Sequence, residues 1–169
     1  MIWRNMLNND ISSKQLFRDI KSLFNSSSVD VVDVSSNEYQ GAVQMKVVLY
    51  CGDHEINTED LESAYNIIYP RYSVLLGSRD LALEVTSPGL QRNFKDYYEF
   101  SVFKGKDVRL YSVGYSCYIV GRIKESGDGY VVLSDYLIED RNESGDEIRV
   151  SFDDIAKAKL EYRWEGRNA

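Results

Sequence analysis

Residue types that support catalysis are few in this sequence of 169 residues. Its one histidine, His54, lies in a predicted polar loop, and there is no glycine-rich phosphate loop, no H-E-x-x-H and no G-x-S-x-G. Adjacent acids such as Asp153 and Asp154 point to opposite faces if they lie on a strand. Cys51 and Cys117 fall in different predicted domains without C-x-x-C spacing, which favours reduced, structural thiols. We therefore expect no catalysis, no metal and no cofactor.

The distribution of charge is more informative than the catalytic residue types. A net charge of −7 argues against a protein that holds nucleic acid through a uniformly basic surface. Residues 92–124 nevertheless carry seven Lys and Arg against three acids, whereas residues 125–154 carry ten acids against Arg141 and Arg149. The plainest interpretation is that these charges solvate strand faces and loops. No run of about 18 apolar residues is present to span a bilayer, and residues 1–5 lack the apolar core of a signal peptide, so we expect a cytoplasmic protein.

The elements of the first half alternate between helical and extended patterns. Ser12 and Gln15 have capping-box spacing, Ile11 is placed to pack against Leu16, and apolar residues then recur at helical intervals as far as Phe24. Strands are predicted at 29–34, 43–49 and 81–85, the first two as a hairpin. A second helix begins at Asn57 or Thr58, and Pro70 ends or kinks it. The order predicts a three-stranded α-β-β-α-β domain with its helices on one sheet face.

The second half is dominated by strands and turns. Four aromatic residues recur there at three-residue spacing in a short helical turn that closes at Gly105: Phe94, Tyr97, Phe100 and Phe103. Such a row can stack on bases, but burial in a core is the favoured interpretation. Five strands are predicted at 106–113, 117–125, 130–133, 147–152 and 156–162, with turns at 126–129 and 144–146. These short strands predict a small closed barrel of the SH3-like or Sm-like kind.

Residues 83–94 form the junction between the halves and read Leu-Glu-Val-Thr-Ser-Pro-Gly-Leu-Gln-Arg-Asn-Phe. The change of pattern predicts an N-terminal α/β domain at 1–86, an inter-domain junction at 87–93 and a C-terminal barrel at 94–169. Pro88 fixes one backbone angle and Gly89 supplies a turn conformation. The Ser87-Pro88-Gly89 turn is therefore either a rigid spacer or a segment that faces a ligand, and both roles are compatible.

The junction string resembles the signature of the RimP family of bacterial ribosome maturation factors, whose usual form is Leu-Glu-Val-Ser-Ser-Pro-Gly-Leu-Asp-Arg-Pro-Leu. Three further family features are present: Phe103-Lys104-Gly105-Lys106-Asp107-Val108, Gly121-Arg122-Ile123, and Asp154-Ile155-Ala156-Lys157-Ala158-Lys159-Leu160. The resemblance extends from residue 11 to residue 162. In two places the signature departs from the family: Gln91 replaces the usual Asp, which removes a possible salt bridge or turn cap, and Asn93 replaces the usual Pro, which is expected to loosen the backbone after Arg92.

The resemblance implies a non-enzymatic, monomeric assembly factor that binds the immature small (30S) ribosomal subunit and promotes its maturation. The implied partners are 16S rRNA and a basic small-subunit ribosomal protein near the decoding centre, with no membrane and no small-molecule substrate. We assign phosphate or partner contact to Ser87, Pro88, Gly89, Arg92, Lys95, Lys104, Lys106, Arg109, Arg122 and Lys124. Arg92 is expected to present a free charged end, and Asp135, Glu139 and Asp140 to face the basic protein.

One alternative function is a peptide-binding adaptor that uses the barrel to bind proline-rich ligands. Such an adaptor needs an exposed aromatic groove, which four tyrosines are candidates to line: Tyr111, Tyr115, Tyr118 and Tyr136. The N-terminal domain has no evident purpose in an adaptor of this kind.

Overall fold

The computed structural model describes residues 14–162. The chain forms two compact units, with the border between them after Pro88. The N-terminal unit contains α1 (Gln15–Ser22), β1 (Val29–Tyr39), β2 (Ala42–Cys51), α2 (Thr58–Leu76) and β3 (Asp80–Thr86). Within residues 14–162, no helix is both long and apolar enough to cross a membrane.

The N-terminal unit is the α-β-β-α-β domain that the sequence predicts. Its sheet has the order β1-β2-β3, with β1 antiparallel and β3 parallel to β2. Val43, Met45 and Val47 are buried, whereas Gln44 and Lys46 between them are exposed. This alternation means that one face of the sheet is covered, as expected for a small sheet backed by helices. The helices supply the other half of the core through Phe17, Ile20, Ala64, Ile68 and Tyr72.

The ends of the helices differ in part from the sequence-based expectation. Ser12 and Ile11 lie outside the described residues, and Gln15 is the first residue of α1, where its side chain donates a hydrogen bond to Asp19 (2.6 Å). In α2, Asn57 and Asp60 form a reciprocal capping box. Pro70 is expected from the sequence to end or kink this helix, and the first alternative is wrong, because α2 continues to Leu76 and ends at Gly77 (φ 65°).

Helix α2 tolerates Pro70 because of where the proline lies. A proline inside a helix removes one backbone hydrogen bond and crowds the preceding turn. Pro70 is on an exposed side of α2, while Tyr72 is buried (7% exposed) in the turn that follows. Packing of this last part of the helix against the unit's core therefore offsets the local cost of the proline.

The C-terminal unit contains α3 (Glu99–Val102), β4 (Asp107–Ser112), β5 (Cys117–Gly127), β6 (Tyr130–Ile138), β7 (Glu143–Ser151), a 3₁₀ turn (Phe152–Asp154) and β8 (Ile155–Leu160). The five strands are antiparallel neighbours in the order β7-β6-β5-β4-β8. The register between β5 and β6 shifts after Val120 and again after Ile123, and such bulges bend a strand. The unit is the small SH3-like or Sm-like barrel that the sequence predicts.

The aromatic row that follows the junction belongs to the barrel core, which confirms the favoured interpretation. Phe94, Phe100 and Phe103 are each at most 4% exposed, and the ring of Phe94 packs against the other two at 5.0 and 5.4 Å. Tyr97 stacks on Phe152 with 4.6 Å between ring centroids. These rings are therefore engaged with one another and not presented to bases.

One predicted turn is wrong. Residues 144–146 lie inside β7, and the chain reverses between Ile138 and Glu143 instead. The glycine that suggested a turn, Gly145, pairs with Tyr136 on β6, and a Cβ at Gly145 would lie 2.8 Å from the Tyr136 ring. A cross-strand aromatic ring that packs over a glycine is a feature of sheets, so this glycine marks close packing and not a loop.

Candidate interaction surfaces

The arginine of the junction is a buried structural residue. Its Nε donates to Glu99 Oε1 at 2.5 Å, and the two side chains are 8% and 0% exposed. Glu99 also accepts hydrogen bonds from the backbone amides of Lys95 (2.6 Å) and Asp96 (3.0 Å). Burial raises the pKa of Glu99, and the hydrogen bond from Arg92 opposes that rise. The expectation that Arg92 presents a free charged end is therefore wrong.

The backbone around Arg92 is part of the barrel. Leu160 N–H donates to the Arg92 carbonyl, and Phe94 N–H donates to the Ala158 carbonyl, both at 2.9 Å. Asn93 forms an isolated bridge with Lys159. The expected loosening after Arg92 is thus absent, because these bonds to β8 fix the segment without the family's proline.

Ser87, Pro88 and Gly89 lead from β3 into a turn at Leu90 and Gln91, directly before the arginine. Gly89 has φ 79°, in the region that favours glycine, and no atom lies within 4 Å of the position a Cβ would take. Ser87 and Gly89 are exposed, and so is Leu90, at 63%. The glycine is therefore needed for the backbone conformation of the turn and not for a close approach by another group.

Most cations of the basic segment are paired with acids of the same unit. Arg109 makes a two-pronged contact with Glu139, at 3.1 Å through Nε and 2.8 Å through Nη2, and its guanidinium carbon lies 3.6 Å from the centroid of the Tyr118 ring. Arg122 lies 3.6 Å from Asp107, and Lys124 pairs with Glu147. The segment that is basic in the sequence is therefore largely neutralised in the fold.

Two cations of the segment remain available for an external partner. Lys104 and Lys106 are exposed in the connection between α3 and β4, and neither forms an ion pair with any residue in 14–162. Lys95 is exposed, and its backbone amide binds Glu99. The structure thus separates the seven predicted contact cations into one with a buried side chain, three others paired with acids, and three exposed lysines.

Sequence reasoning missed two lysines of β8. The register of β4 and β8 places Lys159 opposite Arg109 and Lys157 opposite Tyr111. Lys157 Nζ lies 5.4 Å from the centroid of the Tyr118 ring, within reach of a cation–π contact. The alternation of Lys157 and Lys159 in the last strand signals a shared face, but only the pairing of β8 with β4 brings them beside Arg109.

The β6–β7 hairpin carries a group of exposed acidic side chains. Asp135 on β6 lies opposite Asp146 on β7, because the flanking pairs are Ser134–Glu147 and Tyr136–Gly145. Asp140 and Glu143 lie at the end of the hairpin, where the chain turns from β6 to β7. All four are exposed and form no ion pair with any residue of the described chain. We call these four residues, Asp135, Asp140, Glu143 and Asp146, the acidic hairpin surface.

The arginines near the acidic hairpin surface are occupied elsewhere. Arg149 stacks on the Tyr130 ring at 3.6 Å, and Arg141 donates to the Tyr115 carbonyl at 3.1 Å. Glu139, which the sequence analysis groups with Asp135 and Asp140, is bound to Arg109 and is not free. Like charges at opposite strand positions repel each other, so the surface favours a cationic partner.

The four tyrosines of the adaptor hypothesis belong to three packing clusters. Tyr111 and Tyr118 meet edge to face at 5.1 Å, Tyr115 packs against Arg141, and Tyr136 covers Gly145. Each of the four rings is thus in contact with a neighbouring group of the same unit. Asp153 and Asp154 lie in a 3₁₀ turn, where Asp154 accepts from the Ser112 hydroxyl (2.5 Å) and the Gly114 amide (2.6 Å). This pattern is that of a structural turn.

Comparison with known proteins identifies relatives along most of the chain. No family model matches it. Among curated proteins, ribosome maturation factor RimP from Borrelia hermsii is 22% identical over 155 residues, which cover 89% of this chain and 96% of the relative. The protein of the same name from Borrelia turicatae is 24% identical over 151 residues, with the same two coverages. RimP from Borrelia garinii is 22% identical over 148 residues, or 88% of this chain and 94% of the relative.

Solved structures match about a third of the chain, and only loosely. An SmAP (LSm) protein from Methanococcus vannielii has a TM-score of 0.33 and 20% identity, and covers 37% of this chain and 89% of its own. An Sm-like protein from Archaeoglobus fulgidus has a TM-score of 0.34 and 18% identity, with the same coverages. The barrel assignment rests on the strand order described above. The matches to curated proteins confirm the recognition made from the sequence: along 89% of its length, the chain is similar to proteins named ribosome maturation factor RimP.

Proposed function

We propose that this protein is a ribosome maturation factor that binds the immature small subunit and promotes 30S assembly in the cytoplasm, without catalysing a reaction. The similarity to proteins named ribosome maturation factor RimP supports the process. The proposed partners within the particle are 16S rRNA and a basic small-subunit ribosomal protein. No group of His, Cys, Asp and Glu in the described part of the chain is arranged to hold a metal.

The observation that carries the choice of partner is the asymmetry of charge pairing in the barrel. Arg92, Arg109, Arg122 and Lys124 each contact a carboxylate of the same unit. The acidic hairpin surface has no such compensation. A partner that neutralises it gains Coulomb energy without first breaking an internal ion pair, and a basic ribosomal protein has the required charge.

Contact with RNA is the secondary interaction in this proposal. Lys104 and Lys106 supply exposed positive charge, and Lys157 and Lys159 add more on the outer face of β8. Each phosphate neutralised by such residues adds roughly 0.7 to 0.9 to the magnitude of the log-log salt slope of binding. With a net charge of −7, the chain as a whole repels RNA at long range.

Deletion of the gene tests the assembly role. The expected result is a loss of mature 30S subunits and 70S ribosomes, with accumulation of unprocessed 16S precursor, and a defect that is strongest in rapid growth. Unchanged polysome and precursor profiles in the deletion strain are incompatible with the proposal.

Charge neutralisation tests which partner the barrel binds. Asp135 and Asp140 have φ of 49° and 68°, a region that asparagine tolerates well, so the test variant carries Asp135→Asn, Asp140→Asn and Asp146→Asn. A matched control removes the same three charges from exposed residues of the N-terminal unit, through Glu55→Gln, Glu62→Gln and Glu84→Gln. The hairpin variant should associate about tenfold more slowly with the isolated basic ribosomal protein at low salt, and the control should not.

A second variant, Arg122→Glu with Lys124→Glu, reverses two positive charges and tests whether the barrel binds RNA instead. Because both residues are already paired with acids, this variant is expected to affect binding to 30S less than the hairpin variant does. A large loss of 30S binding from the basic pair, with none from the hairpin variant, contradicts a protein contact and makes RNA the principal partner.

A further inference from the structure

The second site of interest lies in the N-terminal unit, at the end of β2. Cys51 is a free cysteine, 3% exposed, and its Sγ lies 3.4 Å from His54 Nδ1 and 3.5 Å from the Ser28 hydroxyl. The imidazole that contacts it is 47% exposed, so the sulfur lies one side chain beneath the surface. Cys51 is expected from the sequence to be a reduced, structural thiol, and the structure adds two polar neighbours to its sulfur.

The other nitrogen of the imidazole is fixed by a carboxylate. His54 Nε2 lies 2.8 Å from Asp60 Oδ2, and the same oxygen accepts the backbone N–H of Asn57 at 3.0 Å. Asp60 in turn belongs to the capping box of α2, so its position is set by the start of that helix. Cys51, His54 and Asp60 therefore form a chain of sulfur, imidazole and carboxylate, the arrangement in which a base activates a nucleophile and a third group orients the base.

The electrostatics of the chain favour the charged forms of its members. The pKa of Cys51 is lowered overall: burial raises it, but hydrogen bonds from the Ser28 hydroxyl and the Asp53 and His54 amides, together with the charge of His54, outweigh burial. The hydrogen bond to Asp60 and the charge of Cys51 raise the pKa of His54. The Asn57 amide, and then His54, lower that of Asp60.

Other groups that face this chain of residues come from three elements. Asp53, in the same loop, favours a protonated His54. The phenol of Tyr50 on β2 has a raised pKa, caused by burial first and then by the charges of Cys51 and Asp30 on β1. Tyr50 is consequently neutral at physiological pH and does not compete for the imidazole proton.

We propose that Cys51 is an activated nucleophile that exchanges with small disulfides, with His54 as its base and Asp60 as a positioning residue. In this reaction the Cys51 sulfur attacks one sulfur of the reagent, a new S–S bond forms and the reagent's S–S bond breaks. The sulfur of Cys51 is oxidised, and the departing sulfur is reduced and leaves as a thiolate, which takes the proton held at His54 Nδ1. The product is a mixed disulfide between Cys51 and half of the reagent.

The experiment follows release of the chromophoric thiol from dithiodipyridine, an uncharged aromatic disulfide, by the full-length Cys117→Ser protein. An ordinary thiol with a pKa near 8.5 is roughly 0.3% ionised at pH 6 and roughly a quarter ionised at pH 8, so its rate rises steeply over this range. For Cys51 the rise is expected to be less than about tenfold. In His54→Gln the rate at pH 6 should fall about tenfold, and in Asp60→Asn by a smaller factor.

A second variant measures how fast a buried cysteine reacts when no imidazole lies beside it. The Cys51→Ser variant leaves only Cys117, which is also buried (5% exposed) but has no imidazole beside it among the described residues. Cys51 is expected to react at least about tenfold faster than Cys117 in the folded protein at pH 7. Circular dichroism of each variant confirms that the fold is retained. Failure of native Cys51 to react, or an identical pH profile with and without His54, overturns the proposal.

Discussion

The structure makes Arg92 the residue whose replacement best separates a structural role from a binding role. Arg92→Met removes one member of a buried ion pair and keeps an apolar side chain of similar length. The Glu99 carboxylate is then left 0% exposed, with the Lys95 and Asp96 amides still donating to it but without its counter-ion. Breaking a buried pair in this way costs about 3–5 kcal/mol of unfolding free energy.

The size of the effect should depend on pH in a direction set by Glu99. Its folded-state pKa is already raised by burial, and loss of Arg92 removes the contact that opposes this rise. A raised carboxyl pKa means that stability is lost as pH rises from the unfolded pKa of about 4.3 through the folded value. The deficit of Arg92→Met relative to the wild type should therefore be larger at pH 8 than at pH 5.

Urea unfolding followed by circular dichroism measures both quantities. The matched control is Lys124→Met, which breaks an ion pair whose side chains are 53% and 51% exposed, so its unfolding midpoint should stay close to that of the wild type. Adding Glu99→Leu to Arg92→Met should recover at least half of the loss, because replacing both partners removes the buried charge. If Arg92→Met unfolds within about 1 kcal/mol of the wild type yet loses 30S binding, Arg92 is a contact residue and this reasoning fails.

Three further predictions follow from other parts of the fold. Fragments 1–88 and 89–169 should each fold, the first with helix and sheet and the second mostly with sheet by circular dichroism, and an unfolded fragment would mean that the cores are shared. Gly121→Ala should lower the unfolding free energy by about 1–3 kcal/mol, because the new Cβ would lie 3.0 Å from Leu133 Cβ and 3.2 Å from the Ser134 carbonyl oxygen. In the control Gly52→Ala, nothing lies within 4 Å of the new Cβ, and the change should stay within about 0.5 kcal/mol. Equal losses in the two variants contradict the packing argument. Asp60 raises the pKa of His54, so the stability that this contact adds is present below the unfolded pKa of about 6.5 and is lost above the folded pKa. Thermal melts should therefore show a larger difference in melting temperature between the wild type and Asp60→Asn at pH 6 than at pH 9. A difference that does not change with pH excludes this linkage.

The order of elements follows from local patterns in the sequence. Alternation along residues 43–49 predicts β2 within two residues at either end. The five barrel strands are all found where the sequence places them, although β5, β6 and β7 are longer and β4 and β8 are shorter than predicted. These features depend on side-chain period and turn residues, both of which are local. The two-residue turn between Gly127 and Tyr130, with Gly129 at φ 87°, is predicted for the same reason.

The features that sequence reasoning missed depend on long-range contacts. The extension of α2 past Pro70 depends on burial of Tyr72, and the placement of Gly145 in a strand depends on Tyr136 across the hairpin. The burial of Arg92 depends on its ion pair with Glu99. In the sequence, Glu99 is only one of three acids in a segment with seven cations, and nothing marks it as the partner of Arg92. Charge totals along the chain do not reveal which charges pair, so the availability of the acidic hairpin surface emerges only from the fold.

The most direct measurement for the proposed function is co-sedimentation of the purified protein with ribosomal particles. Particles from the deletion strain provide immature small subunits, and mature 30S and 50S subunits serve as comparisons in the same gradients. The protein is expected to travel with the immature small subunits, to bind mature 30S less well, and to remain at the top of the gradient with 50S. A protein that stays at the top with all three particles, or that binds 50S equally well, contradicts a role in maturation of the small subunit.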